Sequence, residues 1–145
     1  MKSASYLYKV GLVILALILV IGHTREIHAM PGATQVSIQA MIDAAPEGGT
    51  VTIPAGTYNE TLSISKTITL IGASMYTTTL QPASTGQRVI AVAAGKDLHL
   101  EGLKITGGQA AGDSGGGVYL ADGSLTLTSC WIYLNSAGYG GGVFQ

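Results

Sequence analysis

Apolar and polar residues alternate along this chain in short bursts that are cut by glycine and small polar residues. Ile68 and Leu70, Leu98 and Leu100, Leu103 and Ile105, and Leu125 and Leu127 each flank one polar or outward residue. A period of two sends one set of side chains into a core and the other to the outside of a strand. The bursts also recur at near-constant spacing. Leu98, Leu100, Leu103 and Ile105 superpose on Leu125, Leu127, Cys130 and Ile132 with a shift of 27 residues. Ile68 to Gly72 precedes Leu98 to Gly102 by 30, and Gly115-Gly116-Gly117-Val118-Tyr119 returns 25 residues later as Gly140-Gly141-Gly142-Val143-Phe144. Periods of 25 to 30 with two or three short strands each predict coils stacked in parallel, every coil burying its inner face against its neighbours. The predicted fold is all-β, a parallel β-helix (solenoid) of about four coils over residues 50–145.

Ahead of the coils the period changes. Ile38, Met41, Ile42 and Ala45 fall at helical spacing on one stripe, with Ser37 placed to cap the start and Pro46, Gly48 and Gly49 to end it. The segment 30–49 is therefore expected to carry a short helix that plugs the first coil, since an open solenoid end exposes unpaired backbone and core side chains. No matching cap is visible after Phe144, so the sequence is read as truncated at its C-terminal end, or its last coil as an edge paired with downstream coils or with another chain.

Residues 1–29 have a different character. Lys2 and Lys9 precede an apolar run from Val10 to Gly22, and Ile27-His28-Ala29 offers a small-residue cleavage site. This reads as a signal peptide, with an uncleaved N-terminal anchor as the alternative; the run is short against the roughly 20 residues of a spanning helix. Either version places the remainder outside the cytoplasmic membrane, secreted or at the cell surface, and confines membrane contact to this segment if it is uncleaved.

Composition narrows the function classes. With 47% hydrophobic and 10% charged residues and 21 glycines, the chain is too apolar for disorder and too glycine-rich for a helical bundle. After residue 29 the cations are Lys66, Arg88, Lys96 and Lys104 against seven carboxylates, which leaves no basic stripe and argues against nucleic acid. Cys130 is the only cysteine, so no internal disulfide can form, and it takes the inward place of Leu103 one coil earlier. His23, His28 and His99 have no companions for a metal. Gly115 to Gly117 leads into a strand and lacks the Lys-Ser/Thr of a phosphate loop. No metal or cofactor is expected.

The stretch from Ile38 to Gly49, then Ile53 to Glu60, then Ile68 to Gly72, resembles the opening of right-handed parallel β-helix proteins of the pectin lyase-like superfamily. The phrases Gly115 to Tyr119 and Leu125 to Ile132, closing with Asn135-Ser136-Ala137, are similar to the glycine-rich repeats of bacterial surface β-helix proteins. Right-handedness is what this resemblance implies, together with the general preference of parallel crossovers. Gly56-Thr57-Tyr58-Asn59-Glu60 resembles the first-coil segment of pectinesterases, which implies a structural role, Tyr58 packing over a turn and Glu60 bonding to backbone. The paired aspartates, glutamines and arginine of that family's chemistry have no counterpart here, and Gln109 and Asp113 read as a solvated glycine-rich loop. Resemblance to pectate lyases would require a carboxylate cluster for calcium, yet Asp97, Glu101, Asp113 and Asp122 do not fall on one face.

The remaining candidates are outward aromatics. If Cys130, Ile132 and Leu134 point inward, Trp131 and Tyr133 project outward together, with Lys104 and Thr106 in the equivalent places one coil earlier and Tyr119 stacked on Phe144 across coils. Aromatic faces beside a cation can hold a sugar ring, and the simpler reading is a stabilising outer ladder. Trp131, Tyr133, Lys104 and Tyr119 are thus the candidate ligand-binding residues, with no catalytic residue assigned. The expected function is a non-catalytic secreted or surface module that binds polysaccharide. The alternative is the N-terminal part of a polysaccharide-active lyase or esterase whose catalytic coils lie elsewhere.

Overall fold

A computed structural model describes residues 36–145; the expected signal peptide lies outside the described residues. The first turn comprises β1 (Gly49–Ile53), β2 (Gly56–Asn59) and β3 (Leu62–Ile64), and the second β4 (Ile68–Gly72), β5 (Thr78–Gln81) and β6 (Ile90–Val92). The third comprises β7 (Leu98–Glu101), β8 (Lys104–Thr106), β9 (Gln109–Ser114) and β10 (Val118–Leu120). The last rung comprises β11 (Leu125–Thr128), β12 (Trp131–Tyr133), β13 (Ser136–Tyr139) and β14 (Val143–Phe144). All pairings are parallel and join successive rungs: β1-β4-β7-β11 form the first sheet, β2-β5-β8-β12 the second, β3-β6-β10-β14 the third, and β9-β13 a two-stranded fourth side. The chain is an all-β parallel solenoid. It returns to the first sheet three times, so it completes about three turns, slightly fewer than the expected four; four strands in a sheet enclose only three returns.

The period-two pattern sets the register. Val51, Leu70, Leu100 and Leu127 align on the first sheet, Tyr58, Leu80 and Ile105 on the second, and Leu62, Ile90 and Val118 on the third. All of these except Leu127 are buried, and Leu127, in the last rung, is 43% exposed. The inner rungs are covered by neighbours on both sides, and a residue of the last described rung is covered on one side only. Tyr58 is buried and its hydroxyl donates to Pro54 O at 3.0 Å. Among the described residues the one buried polar core residue, Thr78, accepts from Ala73 N at 3.1 Å.

The capping helix, α1, spans Ile38–Ala44. Ser37 is its N-cap, accepting from Ala40 N at 3.3 Å, and Ala45 turns extended ahead of Pro46 as a residue before proline must. Ile38 and Ile42 are fully buried, with Met41 and Ala45 packed against the same core. Both helix ends are satisfied by the first coil. The Glu60 carboxylate accepts from Ile38 N at 3.0 Å, Gln39 N at 3.1 Å and the Ser37 hydroxyl at 2.8 Å. Lys66 Nζ donates to the carbonyls of Asp43 at 3.1 Å and Ala45 at 2.7 Å. An anion meets the orphan N–H groups and a cation the orphan C=O groups.

Two expectations are corrected. Gln109 and Asp113 lie in strand β9, not in a solvated loop. Asn135 makes that strand possible: its Oδ1 accepts from Gly108 N at 2.8 Å and its Nδ2 donates to Ile105 O at 3.0 Å, which fixes the corner from which β13 runs along β9. Leu134 does not point inward. Its backbone is left-handed at φ 53° and its side chain is 79% exposed, because β12 ends at Tyr133 and the chain turns there.

The repeated glycine phrase is a stacking requirement. Gly115 and Gly140 open it at φ 66° and 57°, a left-handed backbone that glycine adopts without penalty. At the third glycine the reason is space. A Cβ on Gly117 would collide with Gly142 O and lie 3.0 Å from Asn135 Nδ2, whereas the nearest atom to one on Gly142 is Ile132 Cγ2 at 3.5 Å. Gly117→Ala should therefore lower stability by about 1–3 kcal/mol in a urea titration, and Gly142→Ala at the same place in the phrase by no more than about 0.5 kcal/mol. Equal costs would remove the stacking explanation.

A second repeated device runs up the corner before the first sheet. Glu47 Oε1 accepts from Thr67 N at 3.0 Å, Thr67 Oγ1 from Asp97 N at 3.2 Å, and Asp97 Oδ1 from Ser124 N and Oγ, both at 2.8 Å. Lys96 Nζ adds an ion pair to Glu47 at 3.1 Å. The bonds from Ser124 hold the Asp97 carboxyl below its ordinary range, and the Thr67 backbone bond followed by Lys96 does the same for Glu47. Both groups titrate lower in the folded chain than in the unfolded one. Their contribution is thus complete above the ordinary carboxylate range and is lost as pH falls through the lowered folded values. The denaturation midpoint should hold between about pH 7 and 5 and decline below about pH 4. Asp97→Asn, which keeps an acceptor oxygen but cannot titrate, should flatten that decline.

Candidate functional site

The outer face of the second sheet carries two lanes of side chains along the solenoid axis. Cα partnering aligns Thr57, Thr79, Lys104 and Trp131 in one lane, and Thr106 with Tyr133 in the other, continued by Gln81 beside Asn59. Rungs in such a sheet lie about 4.8 Å apart. Each lane is polar until the last rung, where it becomes aromatic.

Three of the four residues singled out in the sequence, Lys104, Trp131 and Tyr133, are thereby brought onto one face. The Trp131 and Tyr133 rings lie 5.1 Å apart at 29°, so they face each other instead of lying side by side as one shelf. Tyr119 is elsewhere, on the third sheet. Its ring is parallel to Phe144 at 5.9 Å and 4°, and the Arg88 guanidinium sits 4.5 Å from its centroid while bonding to Asp113. That group is a closed stack between rungs, with its cation and carboxylate paired.

Tyr76 is a member of the cluster that the sequence reading missed. It stands on the turn between β4 and β5, shaped by Ser74, whose carbonyl accepts from Thr77 N at 3.0 Å and whose Oγ accepts from Tyr76 N at 3.2 Å. The corresponding turn one rung later is only Gly102 and Leu103. The longer turn overhangs the shorter one, and Tyr76 meets Trp131 edge-on at 6.5 Å and 73°. Met75, Tyr76, Cys130 and Trp131 line a shallow notch of about 220 Å³. The spacing carries only an indirect trace of it: the shift of 30 residues from Ile68 to Leu98, against 27 in the next repeat, marks extra length in this coil but not where that length reaches.

Cys130 forms the floor of the notch without the chemistry of a nucleophile. Its thiol lies 3.3 Å from Leu100 O and 3.4 Å from Thr128 O, and burial pushes its pKa up, with Glu101 adding a smaller push the same way. A raised thiol keeps its proton at neutral pH. The carboxylates are largely taken by structural bonds: Glu60 on α1, Glu47 on Lys96, Asp97 on Ser124, Asp113 on Arg88 and Ser114 N, and Asp122 on Gly123 N. Among the described residues no group of three or more His, Cys, Asp or Glu is placed to hold a metal ion. No helix among them is long and apolar enough to cross a membrane.

The strand that carries the aromatic pair is held under backbone strain. Ser129 and Leu134, which bracket β12, both have left-handed backbones at φ 50° and 53°. In the rung below, the same places are taken by Gly102 and Gly107 at φ 62° and 76°. The corners demand this conformation, and the last rung adopts it without the residue that does so freely.

In comparisons with known proteins, no family model, no curated protein and no solved structure matches the chain.

Because a left-handed non-glycine residue costs about 1–2 kcal/mol, Leu134→Gly should raise stability by about 1 kcal/mol, despite the loss of an apolar side chain, since that side chain is solvent-exposed. A urea midpoint that falls in this variant would show that Leu134 is held by packing after all.

Proposed function

We infer that this chain is a non-catalytic module, secreted or held at the cell surface, that retains carbohydrate through Trp131 and Tyr133. The observation that carries this reading is the exposed aromatic group on the last rung, with Trp131 47% and Tyr76 70% exposed around a notch that no side chain of the described residues fills. Aromatic rings hold sugars through their apolar C–H faces while neighbouring polar groups bond to hydroxyls, and the lanes beside this notch supply hydroxyl, amide and ammonium groups. The engagement of most carboxylates in structural bonds supports a binding role over a hydrolytic or eliminative one. Export is supported by the apolar run from Val10 to Gly22 behind Lys2 and Lys9. Kinship with right-handed pectin lyase-like β-helix proteins and with glycine-rich surface repeats belongs to the same proposal. It is supported by the stacked parallel coils and the recurring glycine phrase.

Retention on immobilised polysaccharides tests the reading. The chain should be delayed by at least one polymer without releasing unsaturated or de-esterified products, and Trp131→Ala with Tyr133→Ala should weaken that retention by about tenfold or more. Unchanged retention in the double variant would sink it, and so would release of products.

A further inference from the structure

We propose that the notch at the corner between the first and second sheets receives the acetyl group of an acetylated sugar, N-linked or O-linked, while the sugar ring itself stays at the mouth. The inference rests on the carbohydrate-binding reading and adds to it the substituent that the ligand carries.

The notch is made by a mismatch of corners. Ala73 to Thr77 join β4 to β5, whereas Gly102 and Leu103 alone join β7 to β8, and Ser129 and Cys130 alone join β11 to β12. Met75 and Tyr76, on the long turn, therefore face Cys130 and Trp131 of the last rung across the space between. The rung in the middle leaves that space open, because Gly102 has no side chain and Leu103 is fully buried. The site lies at a corner, off the flat outer face of either sheet, and its shape comes from the extra residues of one turn.

Its size and lining choose a substituent over a ring. A volume of about 220 Å³ is the space of roughly seven waters at about 30 Å³ each, which accommodates the carbonyl and methyl of an acetyl group and excludes a whole sugar unit. The lining side chains offer a thioether, a thiol and two aromatic rings, with no charge and no carboxamide among them. A sugar hydroxyl pushed into such a place would lose its water partners with little in return. A methyl group gains by leaving water, and sulfur beside aromatic edges packs well against it. The Cys130 thiol points at the Leu100 and Thr128 carbonyls and keeps its proton, so the floor holds no ion that would draw water in. Tyr133 covers one face of the Trp131 indole, while the exposed parts of Trp131 and Tyr76 form the mouth, where the hydroxyls of the sugar ring remain in solvent.

The notch contains the chain's single tryptophan and single cysteine, so its occupancy can be followed by two local probes. Trp131 fluorescence of the full chain is titrated with matched pairs: chitin oligosaccharide against cello-oligosaccharide of equal length, and O-acetylated xylo-oligosaccharide against its alkali-deacetylated form. In at least one pair the acetylated member should bind about three- to tenfold more tightly than its partner, and the pair that shows this distinguishes an amide from an ester linkage. The acetylated ligand at saturation should also slow alkylation of Cys130 by a maleimide. Tyr76→Ser, at a 70% exposed position, should remove the preference without moving the thermal midpoint. Equal affinity within both pairs would overturn the inference, as would a Cys130 that stays unshielded in the saturated complex or a preference that survives in Tyr76→Ser. The carbohydrate-binding reading would still stand in those cases if retention on immobilised polysaccharide is lost in the Trp131 and Tyr133 double variant. Failure to bind either these oligosaccharides or any immobilised polysaccharide would overturn both.

Discussion

Everything in this molecule depends on one constraint: each rung must sit within backbone hydrogen-bonding distance of the next, at corners as well as along strands. Val118 N donates to Gly142 O at 2.9 Å and Ile90 N to Gly117 O at 2.9 Å, so the ladder continues through the glycine phrase without a break. Where backbone stacks directly on backbone there is no room for a side chain, and composition follows from geometry. The apolar interior is a consequence of the same spacing, because residues held in register can line up as continuous columns of valine, leucine and isoleucine.

Side chains extend the ladder where strands cannot. The corner before the first sheet runs from Glu47 through Thr67 and Asp97 to Ser124, and the three different side chains of Glu47, Thr67 and Asp97 perform one task, the acceptance of an N–H from the next rung. Asn135 performs a related task at another corner with both ends of its amide. These bonds are on the surface, and each is modest in energy. Their value is positional, since a slip of one residue would invert a strand's faces.

The fold was legible because its repeat is written in apolar residues and glycines, which report on packing directly. The helix stripe at Ile38, Met41 and Ile42, and the stacking of Tyr119 on Phe144 followed from spacing alone. What the spacing could not convey was the path of the corners. Leu134 continues the apolar alternation of Cys130 and Ile132, yet a left-handed turn takes it outside. Asp113 looks like a loop residue until Asn135 is seen to hold the neighbouring corner. Of the site, the lane containing Lys104 and Trp131 could be read from the repeat, and Tyr76 could not, because its approach depends on one long turn overhanging a short one two coils apart in sequence.

The double anchoring of α1 fixes an order of events. A helix of seven residues is far below the roughly 12–15 needed for marginal stability alone, and its two ends are completed by Glu60 and Lys66, which lie in the corners that follow β2 and β3. The helix therefore acquires structure only together with the first coil, closing loops of about 20 residues at modest entropic cost. Later coils contact only their neighbours and can be added one at a time on this base. Order is thus expected to be graded along the chain, and the most slowly exchanging amides belong to the rungs beneath the N-terminal helix, away from the aromatic rung.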